Sequence, residues 1–321
     1  MALQTAFTEL VGCDVPIQLA PMPGVGTPEL IGAIDDAAGM GALGTGPLPA
    51  AHVEVLLDQV HDRIRGPLSV NILLPFLDLA KVELAAKRAT VVDFFHGPPD
   101  PELVEVVHAY GTLAGWQVGS LSDAEAAVMA GCDLLIVRGV EGGGRMYGTE
   151  SLWPLLVEVV ESVDVPVLAA GGIGDSRGMA AALVAGAAGV RMGTRFLASA
   201  ESGVHPLYRE ALIAASAADS VLTDDFRSDW PDELSSSRVL RSSLEAARDF
   251  DGDVVGELSL GSSTVPLPRF GSAPAMRDSS GAVDAMAMYA GESVRFVRSE
   301  ESATEIVRRI AEGAEELLRA V

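Results

Sequence analysis

Short apolar runs alternate with stretches of helical periodicity through the first two-thirds of the chain. The runs are rich in Val, Leu, Ile and Ala, a composition typical of parallel strands that are buried on both faces. The eight runs lie at residues 16–20, 41–44, 68–72, 90–94, 115–118, 133–137, 165–169 and 189–192. Some of the intervening stretches begin with helix-start signals, such as Asp100 before Pro101 and the Ser122–Glu125 pattern of a capping box. The pattern therefore predicts eight strand–helix units.

Two architectures accommodate such units, a closed barrel and an open doubly wound sheet. The spacing of the eight runs is regular and shows no break into two halves. The first run is not followed by the G-x-G-x-x-G pattern that a dinucleotide-binding unit needs at that place. We therefore predict an α/β fold, a (β/α)8 TIM barrel.

The pattern changes after Phe196, where the chain becomes more polar and richer in Asp, Ser and Arg. Apolar residues still recur there, for example Val239, Leu240 and Leu244, which favours a folded segment over a linker. We predict a smaller, mostly helical cap inserted before the C-terminal helix, with an extended loop at 262–281. The expected divisions are a barrel at 1–200, a cap or substrate region at 201–287, and a C-terminal segment returning to the barrel at 288–321.

Composition excludes several classes of partner. The chain of 321 residues is 49% hydrophobic, enough to build a large core, and carries a formal net charge of −23. Because an acidic surface repels nucleic acid and anionic lipid, we expect neither of them as a partner. We find no signal peptide or membrane-length apolar run and expect a cytoplasmic protein. The two cysteines lie in no motif, and no metal-ligand spacing occurs, so no metal is expected.

Glycines cluster directly after the last two predicted strands. Gly171, Gly172 and Gly174 follow the seventh strand, and Gly193 and Thr194 follow the eighth. In a (β/α)8 barrel these two loops commonly bind phosphate, because glycines let backbone N–H groups approach an anion closely. The alternative is that the glycines only serve tight turns. In the barrel context we favour a phosphate site.

Other strand ends carry groups that suit a flat heterocycle. Ala20, Pro21 and Met22 follow the first strand, where the backbone and a soft thioether could face a ring. Asn71 and Gln117 are amides at the ends of apolar strands, and a buried amide can bind the edge of a heterocycle. Both amides could equally be satisfied by neighbouring backbone.

The loop after the sixth strand, Arg138–Arg145, contains three consecutive glycines that begin at Gly142. Such a run brings backbone close to another group or lets the loop move. Arg145 could hold a carboxylate, nitro group, thioester oxygen or phosphate, or it could be a solvated side chain. His96 follows the fourth strand and is the one histidine on the expected catalytic face, where it could act as an acid, a base or a positioning group.

Taken together, these motifs resemble the nitronate monooxygenase (2-nitropropane dioxygenase-like) family of FMN-dependent TIM-barrel oxidoreductases. The resemblance covers nearly the whole chain. It is carried by Pro16-Ile-Gln-Leu-Ala-Pro-Met22, Ser69-Val-Asn71, Ala170-Gly-Gly-Ile-Gly-Asp175, Met192-Gly-Thr-Arg-Phe-Leu-Ala198 and Met286-Ala-Met-Tyr-Ala-Gly-Glu-Ser-Val294. Similar loops occur in flavin-dependent enoyl-thioester reductases.

The resemblance implies FMN, with its phosphate on Gly172, Gly174, Gly193 and Thr194 and its ring over Met22, beside Asn71 and Gln117. The residues expected to bind the cofactor are Ala20, Pro21, Met22, Asn71, Gln117, Gly142, Gly171, Gly172, Gly174, Gly193 and Thr194. The expected catalytic residues are Arg145, His96 and Tyr289. A small-molecule substrate is implied, with O2 or a thioester as the other reactant, and a homodimer remains an open option.

The chain departs from the family in the loop after the sixth predicted strand. The family's loop reads Glu-Ala-Gly-Gly-His, whereas this chain has Glu141-Gly-Gly-Gly-Arg145, and a guanidinium cannot serve as an ordinary general base. The family also commonly has Gln where this chain has Glu292. Three hypotheses follow: a nitronate monooxygenase-like enzyme, a flavin-dependent dehydrogenase or reductase of an acyl thioester or other carbonyl compound, and a non-catalytic flavin-binding barrel.

Overall fold

The computed structural model describes residues 3–230, 236–260 and 263–320. In chain order, its strands are β1 (Ile17–Leu19), β2 (Gly41–Gly44), β3 (Leu68–Leu73), β4 (Val91–Phe95), β5 (Leu113–Val118), β6 (Leu134–Arg138), β7 (Gly144–Arg145), β8 (Val167–Ala170), β9 (Gly189–Met192), β10 (Ser220–Thr223), β11 (Ser237–Leu240), β12 (Val254–Leu260), β13 (Ser263–Pro268) and β14 (Ser279–Gly281). Its helices are α1 (Ala6–Val11), α2 (Pro28–Asp35), α3 (Ala50–His61), α4 (Leu79–Arg88), α5 (Pro101–His108), α6 (Leu121–Met129), α7 (Leu152–Ser162), α8 (Ser176–Val184), α9 (Thr194–Leu197), α10 (Pro206–Ala214), α11 (Arg241–Asp249) and α12 (Ala303–Arg319).

Eight parallel strands form the central sheet, in the order β1-β9-β8-β6-β5-β4-β3-β2. The sheet closes on itself between its two ends: Leu19 N donates to Met40 O and Met40 N donates to Ile17 O, each at 2.9 Å. Helices α2 to α8 connect successive strands, as the alternation of patterns predicted. The α/β prediction of a (β/α)8 TIM barrel is therefore confirmed.

Short polar side chains start several of the barrel helices. The Asp100 carboxylate accepts a hydrogen bond from Glu102 N at 2.9 Å, and Pro101 occupies the first helical position of α5. Helix α6 begins two residues earlier than the Ser122 pattern suggested, because Ser120 provides the cap through Asp123 N at 3.2 Å. These caps fix where each strand-to-helix loop ends, and those loops carry the candidate site.

The last helix returns to the barrel. Ile306, Val307 and Ile310 of α12 are buried in the same core as the barrel helices, and Thr304 Oγ1 donates to Ala33 O of α2 at 2.7 Å. This matches the docking that its apolar spacing predicted. None of the described helices combines the length and apolar character needed to cross a bilayer.

The cap is less helical than expected. Within the described residues of 201–287, two α-helices, α10 and α11, and two 3-10 helices of three residues each accompany five strands, β10 to β14. Of the apolar residues that indicated a folded segment, Val239 and Leu240 lie in β11 and Leu244 lies in α11. Part of the expected extended loop at 262–281 forms β13, which pairs antiparallel with β12; residues 261 and 262 are outside the described part. The prediction of a mostly helical cap was wrong, because pairing between segments distant in sequence forms strands that local patterns do not signal.

A small sheet joins the cap to the barrel. Strand β11 pairs antiparallel with β10 on one side and with β7, in the loop after β6, on the other. Leu240 N also donates to Met288 O at 2.8 Å, which fixes the returning segment beside β11. The Arg138–Arg145 loop is thereby held between the barrel and the cap. The divisions at 200 and 287 stay a proposal, since one apolar cluster includes residues from both sides of 287.

Candidate active site

A buried ion pair lies inside the barrel. Arg191 of β9 donates to both carboxylate oxygens of Asp93 of β4, at 2.9 and 3.2 Å, and the two side chains are 1% and 0% exposed. Ser69 Oγ donates to the same carboxylate at 2.5 Å, and Arg191 Nε donates to Gln18 Oε1 at 2.7 Å. Barrel interiors are usually filled with branched apolar side chains, so this polar layer is a special feature of the chain.

Two predicted cofactor-binding amides belong to this network. Asn71 Nδ2 donates to Asp93 Oδ1 at 2.7 Å, and Gln117 Oε1 accepts from Arg191 at 3.2 Å. Both amides sit on strands β3 and β5 and are almost fully buried. The structure therefore brings Asn71 and Gln117 together through the ion pair, a link that sequence reasoning did not find.

The glycine loops after β8 and β9 form a cradle of free amides. Among the hydrogen bonds of the described residues, none is donated by the N–H groups of Gly172, Gly174, Gly193 or Thr194. Gly171 and Gly172 adopt φ of 114° and 69°, in the region that favours glycine. Free N–H groups at a loop that leads into a helix attract an anion. This arrangement can bind a phosphate group.

The cradle adjoins two other parts of the site. A Cβ added at Gly193 would meet Ala20 Cβ at 3.1 Å and Met22 Sδ at 3.4 Å, so the turn containing Ala20, Pro21 and Met22 lies against the last strand's loop. On another side, Thr194 Oγ1 accepts from Gly291 N at 2.9 Å. A Cβ at Gly174 would meet Phe296 at 2.8 Å. The returning segment therefore closes one wall of the cradle.

Arginine side chains brace the loop after β6. Arg138 donates to the carbonyls of Arg145 and Gly143, the latter at 2.6 Å, and Arg238 Nε donates to Val140 O at 2.8 Å. A Cβ at Gly142 would meet Arg138 Nε at 2.7 Å, so this glycine allows the guanidinium to lie under the loop. Arg238 also pairs with Glu292 at 3.5 Å, whereas carbonyl oxygens accept the bonds from Arg138. Arg138 therefore brings positive charge to the mouth of the barrel, the end at which the loops after the strands lie, although the protein is acidic overall.

The three predicted catalytic side chains lie near one another, with Arg145 and His96 beside Trp230 and Tyr289 beside Arg145. The Arg145 guanidinium lies 4.6 Å from the centre of the Trp230 ring and donates to Phe226 O. The His96 ring is 5.5 Å from the same indole, and the Tyr289 hydroxyl donates to Ser272 O at 2.8 Å. His96 has a positive φ of 64° and a buried Nδ1 with no hydrogen-bond partner.

Three ionisable side chains at the mouth of the barrel have shifted pKa values. Burial, and then the charges of Arg138 and Arg145, lower the pKa of His96 to about 3. Burial raises the pKa of Tyr289 to about 12, and burial together with the charges of Arg238 and Arg191 lowers the pKa of Arg138 to about 10. At neutral pH the imidazole and the phenol are therefore uncharged and Arg138 is cationic. None of these three groups is poised to exchange a proton near pH 7.

Because the pKa of His96 is lowered in the folded protein, we expect the free energy of unfolding to fall at acidic pH. The unfolded histidine binds a proton below about pH 6.5 whereas the folded one does not, so the free energy of unfolding falls as the pH drops from 6.5 towards 3. The slope contributed by one such group approaches ~1.4 kcal/mol per pH unit. In His96→Asn, which tolerates the positive φ, urea unfolding at pH 7.5, 6.5 and 5.5 should show a shallower decline than in the wild type.

The matched control is His52→Asn, because His52 is an exposed residue on α3. This variant should keep the wild-type pH dependence of unfolding. Equal slopes for His96→Asn and the wild type would show that the imidazole titrates as freely in the folded protein as in the unfolded chain.

Several residues that contribute to the site were not predicted as site residues from the sequence. Asp93 and Arg191 carried a usable signal, since each is a charged residue inside an apolar strand. Arg138 and Arg238 act through the backbone of one loop, and Trp230 reaches the mouth from the cap. No local motif marks these last three positions, because their roles depend on how the cap folds over the barrel.

Comparison with known proteins places this geometry in a family. The nitronate monooxygenase family profile matches residues 78–313. The (3aS,4S,5R,7aS)-5-hydroxy-7a-methyl-1-oxo-octahydro-1H-indene-4-carboxyl-CoA dehydrogenase of Rhodococcus jostii is 33% identical over 256 residues, 77% of this chain and 72% of that protein. A probable nitronate monooxygenase of Staphylococcus saprophyticus is 30% identical over 274 residues, 70% of this chain and 76% of that protein.

Among solved structures, FabK from Thermotoga maritima superposes with a TM-score of 0.81 at 28% identity, over 99% of this chain and 98% of that one. The two sequence relatives are named as a dehydrogenase and a monooxygenase, which are both oxidoreductases. The chain is therefore an enzyme of the oxidoreductase class, and it belongs to the nitronate monooxygenase family.

Proposed function

We propose that the chain is an FMN-dependent oxidoreductase that acts on a small organic substrate bearing an anionic or carbonyl oxygen. The observation that carries this proposal is the cradle of free amides at Gly172, Gly174, Gly193 and Thr194. A terminal phosphate is the part of FMN that such a cradle suits, because several N–H donors and a helix start can share its two negative charges.

The rest of the site is compatible with the flavin ring. The Met22 thioether and Ala20 stand beside the cradle. Asn71 and Gln117 lie on β3 and β5 and reach the barrel interior, where they bond to Asp93 and Arg191. These groups offer a soft apolar face together with amide donors and acceptors, which is the chemistry that a flat heterocycle with a polar edge requires. When bound, FMN would supply hydride or electron transfer through its N5 atom.

The chain's own residues suit a substrate that needs no deprotonation. The neutral His96 imidazole can share a hydrogen bond with a substrate oxygen, and the neutral Tyr289 phenol lies in the same mouth. The fixed charges of Arg138 and Arg145 stabilise negative charge on that oxygen. An alkyl nitronate is already an anion, so it is the first candidate substrate and agrees with the family.

An acyl thioester is the second candidate. The relative from Rhodococcus jostii is named for a carboxyl-CoA substrate, and a guanidinium in place of the family histidine could polarise a thioester carbonyl. Under this alternative the reaction is a dehydrogenation or reduction next to the carbonyl group. The two candidates differ in the second reactant, O2 for the nitronate and a nicotinamide or other electron carrier for the thioester.

Three measurements test the proposal. The purified protein should be yellow, and heat should release FMN rather than FAD or riboflavin. Propionate 3-nitronate should drive O2 consumption, whereas the neutral nitroalkane should not, because the mouth offers no base near pH 7. Turnover of an enoyl-CoA with NAD(P)H, without nitronate activity, would select the second candidate. A colourless protein that binds no FMN would contradict the proposal as a whole.

Arg145→Ala should lower kcat/KM on the active substrate by at least about tenfold, because the variant removes a charge-assisted contact from the mouth. Arg145→Lys should recover part of this loss, since it keeps the charge but not the planar fork that lies on Trp230. The control is Arg248→Ala, an exposed arginine of the cap paired with Asp225, which should change kcat/KM less than twofold. Unchanged turnover in Arg145→Ala would remove Arg145 from the mechanism.

A further inference from the structure

The ion pair inside the barrel constrains the two amides above it. A guanidinium can only donate hydrogen bonds, and a carboxylate can only accept them. Asn71 bonds to the Asp93 carboxylate, so the atom it turns inward must be Nδ2, at 2.7 Å from Asp93 Oδ1. Gln117 bonds to the Arg191 guanidinium, so the atom it turns inward must be Oε1, at 3.2 Å. The chemistry of the partners therefore fixes both amide orientations.

The outward atoms follow from the inward ones. Asn71 presents its carbonyl Oδ1, and Gln117 presents its amide Nε2. Within the described residues neither atom is sealed off as a buried polar atom without a partner, so both keep contact with open space in the barrel. On β3 and β5, which flank β4 in the sheet, they offer one hydrogen-bond acceptor and one pair of donors around the Asp93–Arg191 pair.

We propose that Asp93 and Arg191 are positioning residues, which orient Asn71 as an acceptor and Gln117 as a donor so that the barrel selects a ring edge carrying an N–H next to a carbonyl. This inference rests on the proposed function, because the imide edge of FMN, with its N3–H between two carbonyls, has that pattern. Without the ion pair each amide can rotate by half a turn and exchange its donor for its acceptor.

The cost of the pair supports a role beyond folding. Two fully buried charges lose their hydration, and a pair of this kind is often replaceable by apolar residues without loss of stability. Here the pair is supported by Ser69 at 2.5 Å and by Gln18 at 2.7 Å, so its geometry is held from several strands. A rigid donor–acceptor pattern at the strand ends is what such a network provides.

The test compares FMN with N3-methyl-FMN, in which the imide N–H is blocked, by fluorescence titration of the apoprotein. The wild type should bind N3-methyl-FMN about tenfold more weakly, since the Asn71 carbonyl then loses its donor. In the double variant Asp93→Leu/Arg191→Met the amides are free to rotate, so the ratio of the two Kd values should fall below about threefold. A fold-only role for the pair would change both affinities together and leave this ratio intact.

A second pair of variants does not depend on the double replacement. Gln117→Leu and Gln18→Leu each remove one acceptor from Arg191, but Gln18 is fully buried and turns its Nε2 towards Met40 Sδ at 3.6 Å. Gln117→Leu should weaken FMN binding by about tenfold and Gln18→Leu by less than about threefold. Equal losses in the two variants would overturn the inference.

The outcomes separate this inference from the proposed function. If the wild type binds no FMN, the proposed function fails and the inference fails with it. If the wild type binds FMN and the folded double variant keeps the tenfold discrimination, the positioning role alone is wrong. Loss of discrimination in the double variant, with FMN affinity of Gln18→Leu within about threefold of the wild type, supports the role of Asp93 and Arg191.

Discussion

Gly193→Asp is expected to weaken FMN binding by at least about 100-fold, or roughly 2.7 kcal/mol, while the protein remains folded. The new carboxylate would lie beside the N–H groups that otherwise have no acceptor, and it would repel the phosphate. Because those amides gain an internal acceptor, we expect no loss of stability from the charge itself. The added Cβ meets only Ala20 Cβ at 3.1 Å and the flexible Met22 side chain at 3.4 Å.

Riboflavin provides the internal comparison, because it lacks the phosphate. The wild type should prefer FMN over riboflavin strongly, and Gly193→Asp should bind the two with similar affinity. The control is Ala51→Asp, which introduces the same charge at an exposed position of α3 that already carries a Cβ. A preference for FMN that survives in Gly193→Asp would mean that the phosphate binds elsewhere.

The barrel could be predicted from sequence because its signals are local and repeated. A strand such as Val167–Ala170 is a short apolar run, and it is followed by a helix that Asp175 caps. The positions of the glycine loops follow from this alternation, since every loop after a strand opens on the same face. The sequence alone therefore predicts the phosphate site at Gly172 and Gly193.

The cap could not be predicted in the same way. Strand β11 is only four residues long, and it is stabilised by pairing with β10 and with β7 from a distant loop. The contact between Arg145 and Trp230 likewise joins the barrel loop to a cap segment far along the chain. Such pairings depend on tertiary packing, which overrides the weak propensity of a short segment.

The polar barrel interior is an intermediate case. Asp93 and Arg191 stand out in the sequence as charges within apolar strands, and alternation along a strand directs one face into the barrel. The sequence does not show that the two side chains form an ion pair, because this contact arises only when the sheet closes and both side chains point into the barrel. When two predicted barrel strands each contain a residue of opposite charge, the sequence therefore predicts an ion pair inside the barrel as well as two surface positions.

Asp93→Leu is expected to lower the free energy of unfolding by about 3–5 kcal/mol, because it leaves the Arg191 guanidinium uncompensated inside the barrel. Ser69 and Asn71 also lose their acceptor, which adds to the cost. The double variant Asp93→Leu/Arg191→Met should regain most of this loss, since it removes both buried charges and fills similar volume. Urea unfolding followed by circular dichroism measures both effects.

Glu29→Leu is the matched control, because Glu29 pairs with Arg63 at 2.6 Å but both side chains are 48% exposed. Its effect on the free energy of unfolding should stay within about 1 kcal/mol. If the double variant were as unstable as Asp93→Leu, the pair itself would be contributing net stability, and the case for retaining it as a positioning device would weaken. If instead the double variant is stable but no longer distinguishes FMN from N3-methyl-FMN, the buried charges are needed for ligand recognition and not for the stability of the fold.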